Sequence, residues 1–252
     1  GTVAFPTETV YGLGADALNP EAVMKIFKAK ERPPDNPIIV HISSREEIRR
    51  LGVGIDERVA ELTERFWPGP LTVVIKASDI VPRITTGGLD TVAIRIPSHK
   101  VALALIRESE VPIAAPSANL SGRPSPTTAE HVIEDLAGRI DLIIDAGSTD
   151  VGVESTVIDL TKNPPVLLRP GGITSEELRK ALGKVRLHPS IKSRGEIEIE
   201  KAVSPGMKYR HYAPKAQMIL VEGEPTAITR KVQEVTEEYA VTGKNVGVLT
   251  FD

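Results

Sequence analysis

Cysteine is absent from the sequence. This absence excludes disulfide bonds, thiolate metal sites, iron–sulfur clusters and a cysteine nucleophile from the chain. No apolar run reaches the roughly 18 residues that a membrane helix requires. The first residues, GTVAFPTETVYG, also lack the basic-then-apolar order of a signal peptide. We therefore expect a cytoplasmic protein that makes no contact with a membrane.

An excess of charge of either sign is also lacking. The formal net charge is −3, from 31 Lys and Arg against 34 Asp and Glu, so the chain as a whole has no electrostatic attraction to nucleic acid. Contact with RNA would depend on a local basic patch. Hydrophobic residues make up 40% and charged residues 26% of the 252 positions, which is typical of a globular protein. The length suffices for one substantial core and part of a second domain.

Apolar, β-branched runs of strand length alternate with amphipathic segments of helical spacing. The strand-like runs are 2–6, 71–77, 91–97, 111–117, 142–147, 155–160 and 165–171, and the helix-like segments are 20–30, 56–66, 98–109 and 127–137. This alternation predicts an α/β domain. The runs at 142–147 and 155–160 are joined by too few residues for a helical crossover, so we predict a twisted mixed sheet with flanking helices.

The regular pattern predicts a first domain over 1–185. Residues 186–215 are charged and interrupted by prolines, and we interpret them as a linker. Residues 216–252 then predict a strand (217–223), a helix (226–240) and a strand (245–252), the opening of an incomplete, Rossmann-like second domain.

Two helix starts carry the pattern of a capping box, in which a side chain at each end bonds the free amide of the other. The pairs are Ser44 with Glu47 and Thr174 with Glu177. The sequence thus predicts helices that begin after Ser44 and after Thr174.

The segment KERPPDNPIIVH, residues 30 to 41, ends a predicted helix and enters a loop stiffened by three prolines. Lys30 and Arg32, followed by Asn36 and by His41 at a strand, could surround a polyphosphate, with Arg32 donating a fork of hydrogen bonds. The alternative is a solvated helix end whose cations offset the helix dipole. The spacing alone favours the alternative slightly.

Small and polar residues follow the strand at 111–117 in the segment PSANLSGRPSPT, residues 116 to 127. Its hydroxyl and amide groups are Ser117, Asn119, Ser121 and Ser125. A ligand can approach such a segment closely and accept hydrogen bonds from it, and open α/β sheets bind ligands at the carboxyl ends of strands. An ordinary surface turn has a similar composition, so both interpretations stay open.

Two arginines lie in apolar surroundings. Arg95 is inside the strand TVAIRIP and Arg169 precedes a glycine turn in LLRPGG. A buried guanidinium requires a partner, which is either an internal carboxylate or a substrate. An internal pair is slightly favoured for Arg95, whereas Arg169, at a strand end, suits a phosphate.

The nucleotide motifs with a known mechanism do not occur. GLGAD (12–16) lacks the rest of G-x-G-x-x-G, and no P-loop sequence is present. The five histidines have no metal-ligand spacing, and no G-x-S-x-G elbow occurs. We expect no resident metal and no covalent nucleophile.

In order along the chain, the motifs resemble those of the YrdC-type threonylcarbamoyl-adenylate synthases. The strings that carry this resemblance are FPTETVYGLGADA, KERPPDNPIIVHI, FWPGPLTVV, TVAIRIPSH, APSANLSGRPSPT, GVESTVID and LLRPGG. The segment SPGMKYRHYAP (204–214) resembles the linker of the family's long form, which continues into a Rossmann-like domain. These strings are distributed over a span of roughly four-fifths of the chain.

The resemblance implies an enzyme that joins L-threonine, bicarbonate or CO₂, and ATP into threonylcarbamoyl-AMP and pyrophosphate. Magnesium would accompany ATP. The product would serve a tRNA-modifying transferase partner that modifies the adenosine next to the anticodon, with at most weak binding of RNA by this chain. The linker around Tyr209 would close over the nucleotide.

The resemblance also implies residue roles. Lys30 and Arg32 would be catalytic and hold the phosphates. The threonine pocket would consist of Thr9, His41, Arg95, Ala115 and Ser155. The further ATP contacts would be Asn36, Thr91, Ser117, Asn119, Ser125, Arg169 and Tyr209.

Two alternative functions follow from the same residues. One is a non-catalytic module that binds double-stranded RNA or tRNA through local basic residues; it would show steep salt dependence and no threonine-dependent turnover. The other is the related domain of the hydrogenase-maturation carbamoyltransferases, which is disfavoured because their zinc-finger cysteines are absent.

Overall fold

The computed structural model describes residues 1–192 and 216–250. The chain divides into two compact units, Gly1–Ala213 and Pro214–Asp252. The linker around Tyr209, which is expected to close over the nucleotide, lies outside the described residues.

The described part of the first unit contains eleven strands and seven helices. The strands are β1 (Val3–Pro6), β2 (Tyr11–Asp16), β3 (Ile39–His41), β4 (Gly52–Val53), β5 (Leu71–Ala77), β6 (Thr91–Arg95), β7 (Ile113–Ala114), β8 (Leu142–Ile143), β9 (Thr156–Asp159), β10 (Val166–Arg169) and β11 (Arg186–Leu187). The helices are α1 (Pro20–Lys30), α2 (Ile48–Leu51), α3 (Glu57–Phe66), α4 (Lys100–Ser109), α5 (Ala129–Leu136), α6 (Ser175–Leu182) and α7 (Pro189–Lys192). These elements confirm an α/β fold.

The strands form one mixed sheet in the order β11-β10-β9-β5-β6-β3-β7-β2-β1-β8, with β4 paired to β5. Four pairs are parallel, namely β3 with β6, β5 with β9, β1 with β8 and β10 with β11, and the others are antiparallel. The predicted mixed sheet is therefore confirmed.

The central strands are buried on both faces. In β5, Leu71, Val73 and Ile75 enter the main core with helices α1, α3 and α5, whereas Val74 packs in a smaller cluster on the other face. Because β5 runs antiparallel to β6 with Val74 opposite Ala93, the same alternation places Arg95, two residues further on, over the smaller cluster. The second face of the sheet therefore carries the polar side chains at the strand ends.

Caps fix the helix starts. The Asn19 side chain accepts hydrogen bonds at the beginning of α1, and Thr174 with Glu177 forms the predicted capping box of α6. The predicted capping box of Ser44 with Glu47 is wrong. The Glu47 carboxylate accepts from the amides of Ser43 and Ser44 and from the Ser43 hydroxyl, but α2 begins only at Ile48. These hydrogen bonds therefore stabilise the turn before α2.

Strand β2 was not predicted, because its sequence YGLGAD contains two glycines that usually interrupt a strand. The glycine at 14 is required by close packing: a Cβ there would lie 2.7 Å from both the Ile113 side chain and the Phe5 ring. Strand β2 pairs with β1 and β7, and the side chains of these two strands leave no room for a Cβ at position 14.

The predicted strands at 111–117 and 142–147 shorten to the two-residue strands β7 and β8. Pro112 and Pro116 flank β7 and have no N–H to donate to a neighbouring strand. After β8 the chain turns, with Gly147 at φ 82°, so the run of apolar residues overestimates the paired length.

In the second unit the predicted helix forms as α8 (Pro225–Val241). The predicted strands at 217–223 and 245–252 are wrong over their described residues, since no strand is present at 217–223 or 245–250. Their apolar side chains are exposed, for example Leu220 at 82% and Leu249 at 84%. A strand requires a hydrogen-bonded neighbour, and the described residues of this unit supply none.

Candidate active site

A cleft on the second face of the sheet collects residues from seven separate segments. They are the β1–β2 turn, the residues after α1, the ends of β3 and β6, the segment after β7, the start of β9 and the end of β10. The residues that line it are Thr7, Thr9, Val10, Gly12, Arg32, Ile39, His41, Arg95, Ala115, Pro116, Ser117, Glu154, Ser155 and Arg169. Positions far apart in sequence thus meet at one site.

Arg95, at the end of β6, is 3% exposed. Its Nη2 lies 2.6 Å from a Glu8 carboxylate oxygen, its Nη1 donates to Thr9 Oγ1 at 2.9 Å, and its Nε donates to the Gly69 carbonyl at 3.2 Å. Burial lowers the pKa of Arg95, and the charge of Glu8 opposes that effect. The internal pair expected from sequence is present, and Arg95 also lines the cleft.

His41 is 3% exposed and lies beside Arg95 in the parallel β3–β6 register. Burial first, and then the positive charge of Arg95, lower the pKa of His41 to about 3. The imidazole is therefore neutral at pH 7, and its Nδ1 has no hydrogen-bond partner in the described part of the chain. A neutral ring can offer a hydrogen bond to a substrate without adding charge.

Ser155 precedes β9 and is 1% exposed. Its hydroxyl lies 2.7 Å from the buried Thr72 hydroxyl, and Arg169 Nη2 donates to the Ser155 hydroxyl at 3.2 Å and to its carbonyl at 2.9 Å. Gly171 passes close behind, where a Cβ would lie 2.2 Å from the Glu154 carbonyl oxygen. The packing of β5, β9 and the glycine turn therefore holds Ser155 in one orientation.

Arg32 follows the left-handed residue that ends α1, and its Nη2 donates to the Pro37 carbonyl at 3.0 Å. The proline-rich loop thus returns to support the guanidinium at the cleft, as its stiffness predicted.

Lys30 does not line the cleft. Its side chain is 2% exposed, and its Nζ donates to the Ser117 and Asn119 carbonyls at 2.5 Å each. Burial, and then the charge of Arg32, lower the pKa of Lys30 well below its ordinary value. The alternative of a solvated helix end is therefore wrong for Lys30, which instead holds the turn that presents Ser117.

Asn119 completes that turn. Its amide donates to the Leu120 and Arg123 carbonyls at 2.8 Å each, and its Oδ1 accepts from Ser117. Asn119 is 4% exposed and supports the cleft from behind. The composition of this segment therefore reflects a hydrogen-bonded turn of which Ser117 reaches the cleft.

Three other expected contacts lie outside the cleft lining. Asn36 is fully buried, Thr91 is at the opposite end of β6 from Arg95, and Ser125 donates its hydroxyl to the Glu154 carboxylate. Tyr209 lies outside the described residues. The cleft therefore brings together Thr9, Arg32, His41, Arg95, Ala115, Ser117, Ser155 and Arg169 from the expected set.

Sequence reasoning missed two carboxylates. Glu8 pairs with Arg95, and Glu154 supplies the carboxylate of the cleft lining. Both stand next to predicted site residues, Glu8 before Thr9 and Glu154 before Ser155. Because a buried arginine requires a partner, Arg95 predicted a nearby carboxylate, and Glu8 is that carboxylate.

Over the residues described, no group of three or more His, Cys, Asp or Glu side chains could hold a metal ion. Within the same residues, no helix has the length and apolar character needed to cross a membrane.

Two family models match the chain. The model of the Sua5, YciO and YrdC proteins, described as "Telomere recombination", matches residues 1–171, and the model described as "Threonylcarbamoyl-AMP synthase, C-terminal domain" matches residues 173–252. The chain belongs to the Sua5/YciO/YrdC family. The resemblance stated from the motifs is thereby confirmed.

Curated relatives and solved structures agree. A threonylcarbamoyl-AMP synthase of Pyrococcus abyssi is 57% identical over 98% of this chain and 72% of its own length, and that of Bacillus subtilis is 53% identical over 99% and 70%. The crystal structure of P. abyssi Sua5 complexed with L-threonine matches with a TM-score of 0.94 and 55% identity over 100% of this chain and 74% of that one. Escherichia coli YciO matches with a TM-score of 0.63 and 26% identity over 71% of this chain and 86% of its own.

Proposed function

We propose that the chain is a threonylcarbamoyl-AMP synthase, which joins L-threonine, bicarbonate and ATP into threonylcarbamoyl-AMP and pyrophosphate. The observation that carries this proposal is the cleft itself, where three arginines meet buried hydroxyls and a neutral imidazole. The whole chain is 55% identical to a protein whose structure was determined with L-threonine.

The end of the cleft around β3 and β6 suits an amino acid. Arg95 and Thr9 form one hydrogen-bonded edge for a carboxylate, and His41 and Ser155 offer neutral donors and acceptors to a hydroxyl or amine. Ala115, 4% exposed, adds a small apolar wall. This combination fits a short hydroxylated amino acid such as threonine.

The part of the cleft around Arg32 and Arg169 suits phosphates, and it adjoins the amino-acid part where Arg169 donates to Ser155. Arg32 and Arg169 are the two remaining arginines of the lining, and Ser117 stands on the turn held by Lys30. Guanidinium groups donate paired hydrogen bonds to phosphate oxygens. We propose that Arg32 and Arg169 bind the triphosphate directly and that Lys30 contributes by fixing the turn.

The reaction requires no protein nucleophile. The threonine amine loses a proton and adds to the carbon of bicarbonate, water leaves, and a carbamate results. A carbamate oxygen then bonds to the α-phosphorus of ATP while the bond from that phosphorus to the bridging oxygen breaks, and pyrophosphate leaves. Catalysis therefore rests on positioned reactants and on donors aimed at the developing charge.

Magnesium enters as part of the nucleotide substrate. The residues described contain no ligand cluster for a resident ion, whereas Mg²⁺ in many nucleotide sites is held mainly by the phosphates and water with one or two carboxylates. Glu154, in the lining, is a carboxylate that could complete such a shell.

The test is pyrophosphate release from ATP with Mg²⁺ and bicarbonate, in the presence of L-threonine, L-serine or no amino acid. The proposal expects release that depends on threonine and is weaker with serine. Release that ignores the amino acid, or none from a folded chain, would overturn it.

The product is an activated carbamoyl group, which a transferase must consume; we propose a tRNA adenosine as the acceptor and a tRNA-modifying transferase as the partner. A non-catalytic RNA-binding role would instead give salt-dependent RNA affinity without threonine-dependent release. Measuring both properties on the same preparation separates the two functions.

A further inference from the structure

We propose that Glu8 is a positioning residue that fixes Arg95 and balances its charge, so that the cleft selects a zwitterionic amino acid over a plain carboxylate anion. This inference rests on the proposed function. Glu8 is 5% exposed and is absent from the cleft lining, whereas Arg95 belongs to it. The side chain of Glu8 therefore reaches the cleft through its contact with Arg95.

All three guanidinium nitrogens of Arg95 are engaged, and the partner of Nη1, Thr9, lines the cleft. The side chains of the pair are 4% and 6% exposed, with 2.6 Å between Nη2 and the carboxylate oxygen, and Nε is engaged by the Gly69 carbonyl. The remaining nitrogen, Nη1, donates to Thr9 Oγ1, and Thr9 lines the cleft. The ion pair with Glu8 thus orients Arg95 so that Nη1 and Thr9 face the substrate.

Glu8 is itself held in place. Its backbone carbonyl accepts from the Val151 amide at 2.8 Å, and the hydroxyls of its neighbours Thr7 and Thr9 lie 2.9 Å apart. A buried carboxylate in a fixed turn sets the guanidinium more firmly than a mobile surface partner would.

The charge balance has a consequence for selectivity. With Glu8 present, the charge of Arg95 is balanced before a ligand arrives, and His41 adds no charge at pH 7. The positive charge of Arg169 acts on Arg95 with or without Glu8. A zwitterionic amino acid carries no net charge and keeps this balance. Without Glu8, a buried positive charge remains, and a carboxylate that lacks the amine would compensate it better.

The experiment compares the Kd of L-threonine with that of (R)-3-hydroxybutyrate, which is threonine without its amine, by calorimetry. We expect Glu8→Gln to weaken threonine binding by about tenfold or more and to lower the ratio of hydroxybutyrate Kd to threonine Kd. ATP affinity should stay within about twofold, because Glu8 touches no nucleotide-facing group. Glu8→Asp keeps the charge and should restore part of both losses.

The matched control is Glu176→Gln, which removes one carboxylate from an exposed pair with Arg179 and should change neither ligand. An unchanged ratio in folded Glu8→Gln, or equal losses of threonine and ATP affinity, would overturn the role of Glu8 alone. If Glu8→Gln does not fold, the threonine Kd of Glu8→Asp decides, because the shorter side chain keeps the charge but not the reach to Arg95; an unchanged threonine Kd then counts against the proposal. Failure of the unsubstituted chain to bind threonine would overturn the proposed function as well.

Discussion

The neutral, buried His41 should make the protein sensitive to acid. Its pKa in the folded chain is about 3, against an ordinary value of 6.5. Because the unfolded chain takes up this proton first, the stabilising contribution is complete above pH 6.5 and is lost as the pH falls toward 3. Each pKa step corresponds to about 1.4 kcal/mol, so the full loss is about 5 kcal/mol, of which about 2 kcal/mol falls between pH 7 and pH 5.

The measurement is urea unfolding at pH 7, 6 and 5 for the unsubstituted chain and for His41→Gln, which cannot take up the proton. The free energy of unfolding of the unsubstituted chain should fall more steeply toward pH 5, with a difference in slope that accounts for about 2 kcal/mol. His188→Gln is the control. Burial also lowers the pKa of His188, but His188 is only partly buried, so this substitution should change the pH dependence less than His41→Gln does. Parallel curves for His41→Gln and the unsubstituted chain would refute the reasoning.

Three further substitutions test the cleft and its support. Arg32→Ala should slow threonine-dependent pyrophosphate release about a hundredfold with little change in urea midpoint, and an unchanged rate would remove Arg32 from the phosphate site. Lys30→Met removes the donor to two carbonyls and should cost about 2 to 4 kcal/mol of unfolding free energy; unchanged stability would contradict the turn-holding role. Gly171→Ala places a Cβ 2.2 Å from the Glu154 carbonyl oxygen, so activity should fall sharply, whereas Gly247→Ala, with nothing within 4 Å, should be neutral.

Periodicity predicted the elements whose stability comes from long, regular burial. Strand β5 was expected at its observed bounds, 71–77, and α1 at 20–30. It failed where pairing depends on partners distant in sequence, as at β2, where the Phe5 ring and the Ile113 side chain leave room only for a glycine at position 14. Strands of this kind are determined by tertiary packing, which a local sequence pattern does not contain.

The second unit shows the converse error. QMILVEG has the β-branched and apolar composition of a strand, yet its described residues form none and leave Leu220 exposed. Composition sets a preference for extended backbone, but hydrogen bonds to a neighbouring strand are needed to form a sheet.

For the cleft, residue types were easier to predict than their roles. The loop after α1 supplies Arg32 as expected, but its companion Lys30 supports a turn from inside the protein. The helical spacing indicated that Lys30 is buried. Val23, Ile26 and Phe27 form the buried face of α1, and Lys30 continues this face at the next turn. A lysine on the apolar face of a helix must find acceptors in the interior.

Arg95, a charged residue in a buried strand, has the same requirement for a partner. Sequence analysis left an internal carboxylate and a substrate as alternative partners, whereas the structure gives Arg95 both an internal carboxylate and a place in the cleft lining. The alternatives are compatible because a guanidinium has several donor edges, so one edge can be neutralised by Glu8 while another faces a ligand. A charged residue in a buried strand is therefore best interpreted by asking which edge its internal partner leaves open.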